Sequence, residues 1–185
     1  IKIKGGIPVE IKTSIENNFK MTGEQLKNSI NEKTKMVWFS SPCNPSGSVY
    51  NKKELKEIVD VLESHKNIFV VSDEIYEKLI YGDHKHVSIA SISEELKSLT
   101  VVCHGFAKAY SMTGWRIGYT AAPPEMAAAI AKIQSHTTSN ATTFAQYGAL
   151  AALTGSQDFV EDMRSEYDVR RQFVQARLSA IPNIS

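Results

Sequence analysis

Five residues carry functional groups at a spacing that could do chemistry together: Asn44, Asp73, Tyr76, Lys108 and Arg116. Lys108 stands in CHGFAKAYSMTGWRIGY, residues 103–119, within a charge-poor stretch between Glu95 and Asp158, and Arg116 follows eight residues later. An ammonium among apolar neighbours and near another cation is pushed toward the neutral amine, which attacks carbonyls. The alternative is a solvated loop lysine. Arg116, between Trp115 and Ile117, reads as at least partly buried. A buried guanidinium needs an anion, either a structural carboxylate or a phosphate held in a bidentate contact.

Each of the other three has a structural reading beside the chemical one. Asn44-Pro45-Ser46-Gly47 has the composition of a plain turn. Asp73-Glu74 could cap a following helix, where a carboxylate meets free N–H groups. Tyr76, one helical turn on, could be a core residue. The five histidines show no metal-ligand spacing, and His84 and His86, flanking Lys85 in a polar loop, read as solvated.

These residues must be positioned by strands and helices in alternation, which argues for an α/β layer fold with a largely parallel sheet. The runs 36–39, 68–71, 99–103 and 117–121 read as strands, so Asp73 falls at a carboxyl end, where open α/β sheets place ligands. Lys108 comes just past another such end. Asn51 and Glu54 form an imperfect capping box for a helix to about Ser64, with Leu55, Ile58, Val59 and Leu62 at helical spacing. Pro124 opens a helix bearing Met126, Ile130 and Ile133, and Phe144 to Leu153 is an Ala-rich helix with Gly155 as its cap. Ser156 to Ala180 suits a long half-exposed helix stopped by Pro182.

Composition narrows the function classes. With 21 basic and 20 acidic residues mixed along the 185-residue chain, there is no basic field to hold nucleic acid. No apolar run reaches the roughly 18 to 20 residues that cross a bilayer. Two cysteines, Cys43 and Cys103, offer neither a metal motif nor a disulfide framework, so a reducing cytoplasm is the expected setting and a contact between them stays open. Gly114 and Gly118 do not make the GxGxxG of a nicotinamide dehydrogenase. The first residue is not Met and the chain stops at IPNIS, so both ends read as cut.

Taken in order and spacing, SSPCNPSG, VVSDEIYEKLIY and GFAKAYSMTGWRIGY resemble the fold-type I pyridoxal-phosphate aminotransferases, in the class I/II, aspartate aminotransferase-like branch. The resemblance implies a three-layer α/β sandwich on a mostly parallel mixed sheet. Residues 1–155 would be part of the large cofactor-binding domain, and residues 156–185 a helix leading to a small C-terminal domain. It implies pyridoxal 5'-phosphate as cofactor, with Lys108 forming the Schiff base and moving the substrate's α-proton, and Asp73 pairing with the pyridine nitrogen. Asn44 and Tyr76 would hydrogen-bond the phenolic oxygen and Arg116 would hold the phosphate. The partners it implies are an amino acid such as aspartate and a 2-oxo acid, in a cytoplasmic homodimer when full length.

Two departures follow from the same comparison. Serines common in the family one and three places before the lysine are Ala107 and Gly105 here. The family's phosphate-binding glycine turn, ring-stacking aromatic and substrate-carboxylate arginine would lie outside these 185 residues, so the segment alone is expected to be inactive. Another reaction or donor on the same cofactor (an aromatic amino acid, prephenate) and a non-catalytic interaction fragment are the competing readings.

Overall fold

Runs rich in β-branched and aromatic residues make the central strands β1 (Met36–Ser40), β2 (Phe69–Asp73) and β3 (Thr100–Gly105). In the computed structural model, which describes residues 1–184, they pair in parallel, with Val37 opposite Val70 and Val71 opposite Val101. A fourth strand, β4 (Gly118–Ala121), lies antiparallel to β3, so the order is β1-β2-β3-β4. This is the mixed, mostly parallel sheet expected from sequence. β2 and β3 run two residues beyond the expected ends, which carries the ladder up to Asp73 and Gly105.

One face of the sheet is covered by α1 (Gly23–Ser29) and α2 (Lys52–Glu63). The α2 stripe Leu55, Ile58, Val59 and Leu62 is fully buried against Val37, Val70, Leu26 and Ile89. Its start is fixed by a reciprocal capping box: the Asn51 side chain accepts from Glu54 N–H (2.9 Å) and Asn51 N–H donates to the Glu54 carboxylate (2.8 Å). Asn thus serves where Ser or Thr is usual. Pleating sends alternate residues to the other face, where Met36, Trp38 and Phe69 are exposed.

The short helix α3 (Glu94–Lys97) adds Leu96 to the core. The helix α4 (Pro124–Thr137) starts where expected, and α5 (Thr143–Thr154) and α6 (Asp158–Ser179) form close to their expected ranges. No residue of α4 is buried, so Met126, Ile130 and Ile133 are not a core stripe, and α6 buries only Val160. Gly155 ends α5 in an extended conformation, its N–H reaching Ala151 O, where a Cβ would stand 2.8 Å from that oxygen. Among the described residues no helix is long and apolar enough to cross a membrane. Both cysteines are free.

Because Leu55 has no exposed surface, Leu55→Ala leaves a cavity under β1 and β2. It should lower unfolding stability by about 2 to 5 kcal/mol, read as a shift of the urea midpoint at unchanged slope.

Candidate active site

Three loops that follow parallel strands bring Asn44, Tyr76 and Lys108 together. The first runs from β1 through two cis peptides, Ser41-Pro42 and Asn44-Pro45, and turns at Gly47, whose φ of 71° suits a residue without a Cβ. It leaves Asn44 exposed, with Nδ2 donating to Tyr76 Oη at 3.4 Å. The third loop, after β3, turns through residues 107–110 and puts Lys108 Nζ 5.5 Å from the centre of the Tyr76 ring, a cation–π contact. Lys108 is half-buried rather than a solvated loop lysine.

Asp73 ends β2 between Ser40 of β1 and Cys103 of β3. No helix follows it. Glu77 N–H bonds Glu74 O (3.0 Å) and Leu79 N–H bonds Tyr76 O (2.9 Å), a pair of turns, so the expected capping role has no helix to act on. One Asp73 oxygen accepts from Ile75 N–H at 3.2 Å, and among the described residues nothing donates to the other. The burial of Cys103, together with this carboxylate, raises its thiol above the ordinary value.

Arg116 is not drawn to these groups. It was expected to be partly buried, but it is exposed, in the left-handed region at φ 52°, with Nη1 donating to Thr113 O at 2.9 Å. The cause is Trp115, whose ring lies on α5 where a Cβ at Gly148 would come 2.5 Å from it, and against Phe144 at 5.9 Å. Docking the indole there turns the next residue outward. Beneath the lysine loop, Phe106, Met112 and Ala149 of α5 form a small core.

On the opposite side of the Tyr76 turn stand charged residues not singled out by the sequence. Glu74 is only 3% exposed and accepts from Ser72 Oγ (2.9 Å), Ser88 Oγ (2.7 Å) and His86 Nε2 (2.7 Å). His86 is therefore not solvated, as its polar loop suggested, because that loop folds back onto β2. Glu77 lies 3.2 Å from His104 Nε2, close enough for an ion pair but off the line of a hydrogen bond. The strand period held a signal: in SDE, Ser72 and Glu74 alternate with Asp73 and so face the core side.

The chain is an α/β protein whose mostly parallel sheet puts a lysine, a tyrosine, an asparagine and an aspartate at its carboxyl edge, where open α/β sheets place ligands. Residues 1–185 match aminotransferase class I and II, and the chain belongs to that family. It is 50% identical over 182 residues to an aspartate aminotransferase of Bacillus sp. (strain YM-2), covering 98% of this chain and 46% of that one. The structure superposes on an aspartate aminotransferase from Rhizobium meliloti with a TM-score of 0.91 at 36% identity, over 94% of this chain and 44% of that one. On an aromatic aminotransferase from Pyrococcus horikoshii the TM-score is 0.88 at 41% identity, over 93% and 46%. The chain thus spans about half the length of the relatives it matches.

The Glu77–His104 pair gives stability a defined pH window. The His104 contact, together with Lys78 and His86, lowers Glu77 from 4.5 to about 2 against the effect of its partial burial. Burial disfavours a charged His104, yet Glu77, with Glu74 beyond it, raises the imidazole above its ordinary 6.5. A depressed carboxyl contributes above its unfolded value and is lost as pH falls through its folded one; a raised imidazole contributes below its unfolded value and is lost as pH rises through its folded one. The stability gap between wild type and Glu77→Gln should therefore be widest between pH 4.5 and 6.5 and narrow on both sides, as followed by thermal unfolding across pH.

Proposed function

We propose that this chain is the central half of a pyridoxal-phosphate-dependent aminotransferase that moves an amino group between an amino acid such as aspartate and a 2-oxo acid. The observation that carries this is the meeting of Asn44 Nδ2 with Tyr76 Oη at 3.4 Å beside Lys108 Nζ, from three separate strand-end loops in a chain of this family. The residues present fit the cofactor. Asn44 and Tyr76 offer adjacent donors for a phenolic oxygen, Asp73 keeps an oxygen without a protein donor for a pyridinium nitrogen, and Arg116 keeps most of its guanidinium free for a phosphate.

Bound there, the cofactor supplies an electron sink for charge developing at the amino acid's α-carbon. Lys108 would anchor it through Nζ and would serve as the base and acid that moves the proton at that carbon. Asp73 would keep the ring nitrogen protonated. Tyr76 and Asn44 would favour the anionic phenolic oxygen and hold the ring in place.

Residues 1–155 are read as part of the large domain, and 156–185 as the helix leading to a small domain that would complete the substrate grip. The apolar residues that α6 leaves exposed, Phe159, Val169, Phe173 and Leu178, support that reading. The full-length protein is proposed to be a cytoplasmic homodimer. Aspartate is preferred as donor because the Bacillus and Rhizobium relatives are aspartate aminotransferases, while the Pyrococcus neighbour is an aromatic one.

Borohydride reduction of the full-length protein with pyridoxal phosphate should leave a pyridoxyl group on the peptide carrying Lys108, located by mass spectrometry. Lys108→Ala should abolish both this label and the associated absorbance band. Labelling at another lysine would overturn the assignment.

A further inference from the structure

We infer that Glu77 and His104 are positioning residues, a clamp that holds the turn bearing Tyr76 against the strand that leads to Lys108. The cofactor arm of this inference rests on the proposed function; the clamp itself rests on geometry alone. The turn is short and non-helical, held internally by the two backbone bonds from Glu77 and Leu79, so its own rigidity is low. What fixes it from outside is the carboxylate next to Tyr76. Glu77 reaches His104 Nε2 at 3.2 Å, and His104 is the last strand residue before Gly105, four positions ahead of Lys108.

The imidazole is held on three sides. Its side chain is 8% exposed, it stacks on Tyr119 of β4 with centroids 5.3 Å apart, and its Nδ1 accepts from Gly105 N–H at 2.8 Å. That last bond sets the tautomer of the neutral ring: the proton sits on Nε2, facing Glu77. Glu74 secures the other end of the same turn through Ser72, Ser88 and His86. Asp73 and Tyr76 therefore reach the site while Glu74 and Glu77, between and beside them, anchor the turn on the far side.

The same groups do not make a metal site. Glu74, Glu77 and His86 offer donor atoms within 4.8 Å of one another, but Glu74 already receives three donors, and Nε2 of His86 carries the proton it gives to that carboxylate, which a metal would need removed. The charged and titratable groups around the imidazole are Glu77 and Glu74, with Lys78 and His86 acting on Glu77, and Tyr119 and Tyr110 lining the small cavity of about 140 Å³ beside it.

The test uses the full-length protein with His104→Leu, which removes the clamp, and His104→Gln, which restores an N–H donor near Nε2. Leu55→Ala reports what lost global stability does on its own, and Glu166→Gln on the exposed face of α6 is the neutral control. Without cofactor, His104→Leu should speed hydrogen exchange at the Glu77 and Leu79 amides more than Leu55→Ala does, with His104→Gln near wild type. With pyridoxal phosphate, its Kd should rise about tenfold in His104→Leu, the scale of a lost part-buried ion pair, and recover in His104→Gln. Exchange and Kd in His104→Leu no different from Leu55→Ala would overturn the clamp. Exchange is read without cofactor, so a protein that forms no Lys108-dependent band overturns the proposed function and still decides the clamp.

Discussion

Parallel pairing of β1, β2 and β3 is the constraint on which the rest depends. Strands that run the same way release their chains at the same edge, so Asn44, Tyr76 and Lys108, 32 residues apart in sequence at each step, meet without any local contact. The strands stay in register because one face of the sheet is packed on the apolar stripe of α2. A one-residue slip would turn Val37 and Val70 out of that core and carry Asp73 to the wrong face. Core and site are therefore two consequences of one alignment.

The elements with their own periodicity were legible in the sequence: the strands, α2 with its Asn51 cap, the start of α4, and the extents of α5 and α6. The meeting of Asn44, Tyr76 and Lys108 was legible because strand ends place them. What failed was burial that depends on partners distant in sequence. Arg116 sits between two apolar residues, yet Trp115 is claimed by Gly148 and Phe144 on α5, and no local pattern announces that contact. His86 meets Glu74 from 12 positions away in sequence, and a tertiary ion pair has no sequence period. Met126, Ile130 and Ile133 have helical spacing, but periodicity shows which face is apolar and not whether anything covers it.

That last distinction accounts for the uneven surface. Trp38 on the open face of the sheet, Phe144, Tyr147 and Leu150 on α5, and Phe173 and Val174 on α6 are all exposed, more large apolar groups than scattered surface residues explain. The packed core lies on the α2 side, and this exposed set lies away from it. A chain covering about half of its relatives' length has this asymmetry if the other half supplies the missing cover.

The two departures from the family's lysine motif differ in physical character. Gly105 faces Gly118 across the β3–β4 pair, and a Cβ there would lie 3.1 Å from Gly118 Cα and 3.2 Å from Ile75 Cδ1; one on Gly118 would lie 2.8 Å from His104 O. The two glycines thus let the strands approach closely beside His104, on the ladder that stacks it against Tyr119, and a serine at position 105 would press on that approach. Nothing in the structure explains Ala107. In the proposed site, this segment then contributes its phosphate contact chiefly through Arg116, whose guanidinium the Trp115 contact turns outward instead of into the core.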